Sequence, residues 1–166
     1  MLQKRMHQGP IDLGAAQSKF AAEVMERPGG EHLRHCFACG ACTLSCPVAA
    51  VAEDYSPRLL IRKILLGLKE EVLSDPAIWY CHSCFRCSVH CPQDVRFTTV
   101  MQVLRQLAVE QGFAPGEFVE AAGAIDHAAE ILRLKAIAAL ARTWEEGGMP
   151  ATPEAIFAEI LQGKEA

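Results

Sequence analysis

Apolar residues recur along most of this chain at intervals of three and four, the spacing of a helix face, and no segment reads as a strand. From about Ala15 to Arg27 the pattern places Phe20, Val24 and Met25 on one side, and Pro28-Gly29-Gly30 ends it. Ser56-Pro57 supplies an N-cap and a first-turn residue for a helix on which Leu60, Ile64, Leu68 and Val72 share a face. Gly67 weakens that helix and Ser74-Asp75-Pro76 closes it, leading through a short turn to Trp79 and Tyr80. Val95, Thr99 or Val100, Val103 and Leu107 mark another helix, stopped by Gly112. An Ala-rich helical stretch follows from about Pro115 to Glu146, with a break expected near Gly123 or Asp126. Gly147-Gly148-Met149-Pro150 interrupts the chain again, and Thr152-Pro153-Glu154 caps a last helix through Leu161. The expected class is all-α. The expected organisation is an N-terminal helical segment over 1–30, a central domain over 31–113 and a C-terminal helical extension over 114–166.

Two loops between these helices hold all eight cysteines of the chain. Cys36-Phe-Ala-Cys39-Gly-Ala-Cys42-Thr-Leu-Ser-Cys46-Pro47 and Cys81-His-Ser-Cys84-Phe-Arg-Cys87-Ser-Val-His-Cys91-Pro92 have one spacing, position for position. The repeated pattern, C-x2-C-x2-C-x3-C-P, is that of two-cluster iron–sulfur ferredoxins. Three cysteines at x2 spacing let a tight loop wrap three corners of a cubane, with loop N–H groups turned toward the sulfides. A small residue such as Gly40 permits close approach of the backbone. The fourth cysteine is carried away by the turn to the other cluster, and Pro47 and Pro92 fix the backbone there. The expected ligand sets are therefore crossed: Cys36, Cys39, Cys42 and Cys91 for one [4Fe–4S] cluster, and Cys81, Cys84, Cys87 and Cys46 for the other. A pair of four-cysteine zinc sites is the competing use of eight thiols, making the chain a zinc-binding interaction module. Zinc, however, requires neither the third cysteine at x2 nor the Cys-Pro closure.

Composition narrows the function classes. A chain of 166 residues that is 51% hydrophobic and 22% charged can bury a core. Its net charge of −4 lacks the basic footprint of a nucleic-acid binder. Two clusters, each about −2 with four thiolates, add about −4. Arg34, His35, Arg58, Arg62, Lys63, Arg86 and Arg96 lie near the cysteines in sequence and are candidates to offset it. His35, His82 and His90 adjoin cysteines but are read as surface or supporting residues, since four thiols are available per cluster. Phe37, Phe85, Trp79 and Tyr80 are read as shields against water. Behind Lys4 and Arg5 come Gln8, Gly9, Pro10 and Asp12 rather than an apolar run, so no secretory signal is expected. No stretch reaches the roughly 18 apolar residues of a membrane span. A cytoplasmic protein with reduced thiols is expected, in which this cysteine pattern means metal rather than disulfides. No G-x-G-x-x-G or P-loop is present, and no cysteine is left over as a nucleophile, so no catalytic residue is assigned.

Beyond the cysteines, the chain from roughly Phe20 to Phe113 resembles the C subunit of heterodisulfide reductases. The residues that carry the resemblance are Cys36-Phe-Ala-Cys-Gly-Ala-Cys-Thr-Leu-Ser-Cys-Pro-Val48, Arg58-Leu-Leu-Ile-Arg-Lys-Ile-Leu-Leu-Gly-Leu-Lys69, Asp75-Pro-Ala-Ile-Trp-Tyr-Cys81 and Cys91-Pro-Gln-Asp-Val95. The resemblance implies an α-helical ferredoxin fold with two [4Fe–4S] clusters. It also implies a hetero-oligomer, in which this kind of protein relays electrons from a flavin-bearing subunit to a disulfide-reducing one. The cysteine-rich motifs of the disulfide-reducing subunit are absent from this sequence. An iron–sulfur subunit of another oxidoreductase, of the succinate, fumarate, glycolate or glycerol-phosphate type, is the alternative.

Overall fold

In the computed structural model the described residues, which are 13–145, 148 and 152–161, form helices joined by loops, and no strand occurs among them. The segments around Lys4 to Pro10, and Gly147, Met149 and Pro150, lie outside them. The chain divides into two compact units, Met1–Gly116 and Glu117–Ala166.

Among its described residues the first unit has six α-helices: α1 (Phe20–Met25), α2 (Ala41–Leu44), α3 (Pro57–Leu65), α4 (Lys69–Leu73), α5 (Arg86–Val89) and α6 (Phe97–Glu110). α3 starts where a capping residue dictates: Ser56 Oγ accepts the Leu59 N–H at 3.3 Å, and Pro57 occupies the first turn. The same hydroxyl lies 3.3 Å from Thr43 Oγ1, which accepts the Arg58 N–H at 3.1 Å. The start of α3 is thereby tied to α2, the helix inside the first cysteine run. Leu60, Ile61 and Ile64 of α3 share one buried core with Val100, Met101, Leu104 and Leu107 of α6 and with Phe20, Val24, Leu33, Val72 and Ile78. Each such side chain stabilises the fold by about 1.5–3 kcal/mol relative to exposure.

Three expectations are corrected here. The helix expected from Leu60 through Val72 is two helices. Gly67 sits between them at φ +78°, where its carbonyl accepts the Gln17 N–H at 2.7 Å. A β-carbon on Gly67 would lie 2.5 Å from the Gln17 carbonyl oxygen, so the glycine permits a close chain crossing as well as a turn. Lys63, one of the charges near the cysteines in sequence, is instead buried, with Nζ 2.8 Å from Glu71 Oε1. That contact lacks the angle of a hydrogen bond and is an ion pair by distance. The helix at Ala15 to Arg27 is also shorter than expected. A 3-10 turn at Leu13–Ala15 precedes α1.

The described residues of the second unit include α7 (Glu117–Glu145) and α8 (Pro153–Leu161), which pack on each other. α7 is continuous, without the break expected near Gly123 or Asp126. One glycine costs a helix about 1 kcal/mol, and the good helix formers around it outweigh that. α7 buries none of its side chains, leaving Ile125, Leu134, Ile137 and Trp144 exposed. Thr152 Oγ1 accepts the Ala155 N–H at 3.4 Å at the start of α8, as the sequence predicts. No helix among the described residues is long and apolar enough to cross a membrane.

Candidate metal centre

The sequence repeat is also a backbone repeat. Ala38 and Ser83 occupy matching places in the two runs with φ of 60° and 57°. Gly40 and Phe85 match at 87° and 60°, each immediately preceding a one-turn helix, α2 or α5. Left-handed residues alternating with ordinary ones turn successive N–H groups to one side, forming an anion-binding concavity. For Gly40 this conformation is free, whereas Phe85 pays about 1–2 kcal/mol for it. Such strain at matching places in both runs marks a loop shape held for what it surrounds. The two short helices pack against each other, and the Cys46 and Cys91 N–H groups donate to the carbonyls of Thr43 and Ser88 at their ends.

All eight cysteines are free thiols. One cavity gathers Cys36, Cys39, Cys42 and Cys91 on its wall, together with Cys87, Phe37, Gly40, Arg58 and Val95. Residues 45 or more positions apart in the chain thus meet at one place, because α5 lies against α2 and the chain doubles back after it. The sulfurs receive backbone donors: Ala38 N–H to Cys36 Sγ and Val95 N–H to Cys91 Sγ, each at 3.4 Å. Cys46, Cys81 and Cys87 form a second neighbourhood around the buried Tyr55, whose phenol burial pushes well up and which these three thiols push further. Cys87 borders both groups, buried, with Sγ 3.2 Å from Thr98 Oγ1. Cys84 is exposed on its loop, and the structure does not bring it into the cavity.

The chemistry of these donors suits a cationic iron core. Burial raises the Cys42 and Cys81 thiols above the ordinary thiol range, so they ionise only against a compensating positive charge. A bound metal supplies that charge and deprotonates its thiol ligands outright. Among the described residues no three His, Cys, Asp or Glu side chains converge tightly enough for a single ion. A tetrahedral zinc site draws its sulfurs to about 3.8 Å from one another, given Zn–S bonds of about 2.3 Å. A cubane holds them farther apart, at its outer corners.

The surrounding charges sort by position. Arg58 borders the cavity and is exposed, whereas Arg96 turns to Asp94 in a forked pair at 2.7–3.0 Å. His32 Nδ1 lies 2.8 Å from the Asp94 carbonyl oxygen, linking the entrance of the first run to the exit of the second. His35, His82 and His90 are at the surface, with His90 Nδ1 2.9 Å from the Arg86 carbonyl oxygen. Of the expected shields, Phe37 borders the cavity but is 60% exposed. Trp79 is partly covered, and its ring packs under the Arg105 guanidinium at 5.6 Å. Arg105 was not a sequence candidate. It lies fourteen positions beyond Cys91, and only the packing of α6 brings it to the second run.

A family profile described as a 4Fe-4S dicluster domain matches residues 32–95, from His32 to Val95, and so takes in both cysteine runs. All eight cysteines of the chain lie inside the stretch that matches this 4Fe-4S dicluster profile. That match and the eight cysteines fit two [4Fe–4S] clusters. The chain is also 40% identical over 104 residues to the C subunit of the H(2):CoB-CoM heterodisulfide,ferredoxin reductase of Methanothermobacter thermautotrophicus. That match covers 59% of this chain and 56% of the relative. It is 40% identical over 93 residues to a protein of Archaeoglobus profundus named as like the C subunit of heterodisulfide reductase, covering 56% and 50%. Against the second iron-sulfur C subunit of the CoB--CoM heterodisulfide reductase of Methanocaldococcus jannaschii the identity is 38% over 109 residues, covering 61% and 58%. The chain spans about half the length of these curated relatives. The resemblance read from the sequence alone, to the C subunit of heterodisulfide reductases, is borne out.

Proposed function

We propose that this chain is the electron-relaying iron–sulfur subunit of a heterodisulfide reductase-like complex in the cytoplasm. It would stand between a flavin-bearing subunit and a disulfide-reducing subunit. What supports a relay within the domain is one observation: Cys91, from the end of the second run, lies on the wall of the cavity that holds Cys36, Cys39 and Cys42. In this reading those four thiolates hold one cluster, and Cys46, Cys81, Cys84 and Cys87 hold the other. Each bound [4Fe–4S] cluster supplies a site that takes up and releases one electron. The protein's own contribution is placement. α2 and α5 in contact keep the two sets adjacent, and backbone donors at Cys36 and Cys91 stabilise thiolate charge. Tyr55 and Thr98 fill the space beside Cys87 and keep water from it.

Partner contact is supported by the surface at the clusters. Leu44 on α2 and Val89 on α5 are 91% and 81% exposed. Neither cysteine run contains an acidic residue, while Arg86, His82 and His90 accompany the second. An apolar, acid-rimmed protein face fits such a surface. The test is anaerobic purification of the complex from the native host, with iron analysis. About eight irons per chain, with flavoprotein and disulfide-reductase subunits present, is the expected result. A colourless protein with two zincs, or a dehydrogenase flavoprotein as the sole partner, overturns the reading.

A further inference from the structure

The two cysteine runs match in sequence and backbone, but α6 treats them differently. From its third turn Arg105 reaches the segment entering the second run. Its Nε donates to the Ile78 carbonyl at 2.8 Å, and Nη2 donates to the carbonyls of Trp79 (3.3 Å) and Cys81. The guanidinium plane also lies over the Trp79 ring. Only carbonyl oxygens accept from it in these contacts, so its positive charge is held in place without being neutralised by a carboxylate. The first run has Arg58 at its cavity, but Arg58 is exposed, and water and salt screen it. A half-buried, pinned cation acts through a lower effective dielectric and weighs more.

We propose that Arg105 sets the two clusters apart in potential: it holds the cluster of Cys46, Cys81, Cys84 and Cys87 above its neighbour, so that a single electron entering the domain rests there. The inference stands on the ligand sets given under Proposed function. The step is a one-electron reduction by a partner's reduced cofactor. One iron is reduced, no bond is made or broken, and the cluster with its thiolates passes from about −2 to about −3. A fixed cation beside Cys81 stabilises the added negative charge and therefore raises the potential.

The experiment is an anaerobic redox titration of the full chain loaded with its iron, followed by electron paramagnetic resonance. Signals are assigned by loss in Cys81→Ala and in Cys36→Ala. In the parent protein two separate one-electron steps are expected, with the Cys81 signal the first to be reduced. R105Q should disfavour reduction of that cluster by at least tenfold, about 59 mV for one electron, and leave the other unmoved. Equal shifts of both signals, no shift, or a parent order in which the Cys36 signal is reduced first overturns the proposal. Should R105Q lose its iron, R105K decides. Lysine keeps the charge without the fork, so a retained order supports the proposal, and a tenfold fall overturns its electrostatic basis. A parent protein with fewer than two clusters instead refutes the ligand reading, visible before any Arg105 variant is measured, and the proposal falls with it.

Discussion

Removing cysteines in pairs tests whether the fourth ligands are exchanged between the runs. Cys36 and Cys91 lie on one cavity wall although 55 positions separate them, whereas Cys81 and Cys91 belong to one run but to different neighbourhoods. If ligands follow space, Cys36→Ala and Cys91→Ala strike the same cluster. The double variant then loses no more than either single one and keeps about four of the eight irons. Cys81→Ala with Cys91→Ala strikes both clusters, and iron falls to near none. If ligands follow sequence, the two outcomes exchange places. The assay is iron per chain together with the visible absorption and paramagnetic resonance of anaerobically purified protein. Circular dichroism checks that the helices persist. Conversion of a damaged cluster to a three-iron form moves the single-variant count toward seven but leaves the non-additivity unchanged. A Cys36/Cys91 variant that loses both clusters while Cys81/Cys91 keeps one would refute the crossing. Cys87, which borders both groups, should pair with Cys81 in the same cycle.

Ser56→Ala removes the cap of α3 and its link to Thr43, and should lower stability by about 1 kcal/mol, read as a fall in the urea midpoint of cluster-loaded protein. Lys63→Met leaves Glu71 without its partner and should cost about 3 kcal/mol, the low end for a buried pair because Glu71 is 25% exposed; Lys63→Met with Glu71→Leu should recover most of it. The same variant should show a pH dependence. Burial raises the Asp75 carboxyl above 3.8 even with Lys63 acting to lower it, so without Lys63 the folded protein binds that proton up to still higher pH. The Lys63→Met deficit should therefore shrink on acidification through the window above 3.8 and grow as pH rises. A deficit independent of pH would contradict this. Val89→Glu should retain its irons yet fail to co-purify with partner subunits, and co-purification at the parent level would count against the α2–α5 surface as their contact.

The all-α class and the two matching cysteine runs were legible because helix periodicity and cysteine spacing are local properties. Ser56-Pro57, Ser74-Asp75-Pro76 and Thr152-Pro153 act within one turn of themselves, so their effect could be read from neighbours alone. Gly67 was visible as a weak point but not as a break. Its reason to break lies in Gln17, fifty positions earlier, whose backbone crosses too closely for any β-carbon. α7 erred the other way, since a single glycine in an Ala-rich helix is a small cost that a local scan overweights.

The eight cysteines and their repeated spacing are what the sequence determined about this protein, and with them the identity of the cofactor, because the loop shape that wraps a cubane is set by a few consecutive residues. Tertiary structure decided the surroundings. It placed Cys91 in the cavity of the first run, buried Lys63 against Glu71, and delivered Arg105 to the carbonyls of Ile78, Trp79 and Cys81. None of these is readable from spacing, since each depends on which elements pack together: α2 with α5, α3 with α4, and α6 with the turn at Pro76–Trp79. Two sites made equal by their repeat are made unequal by the packing around them.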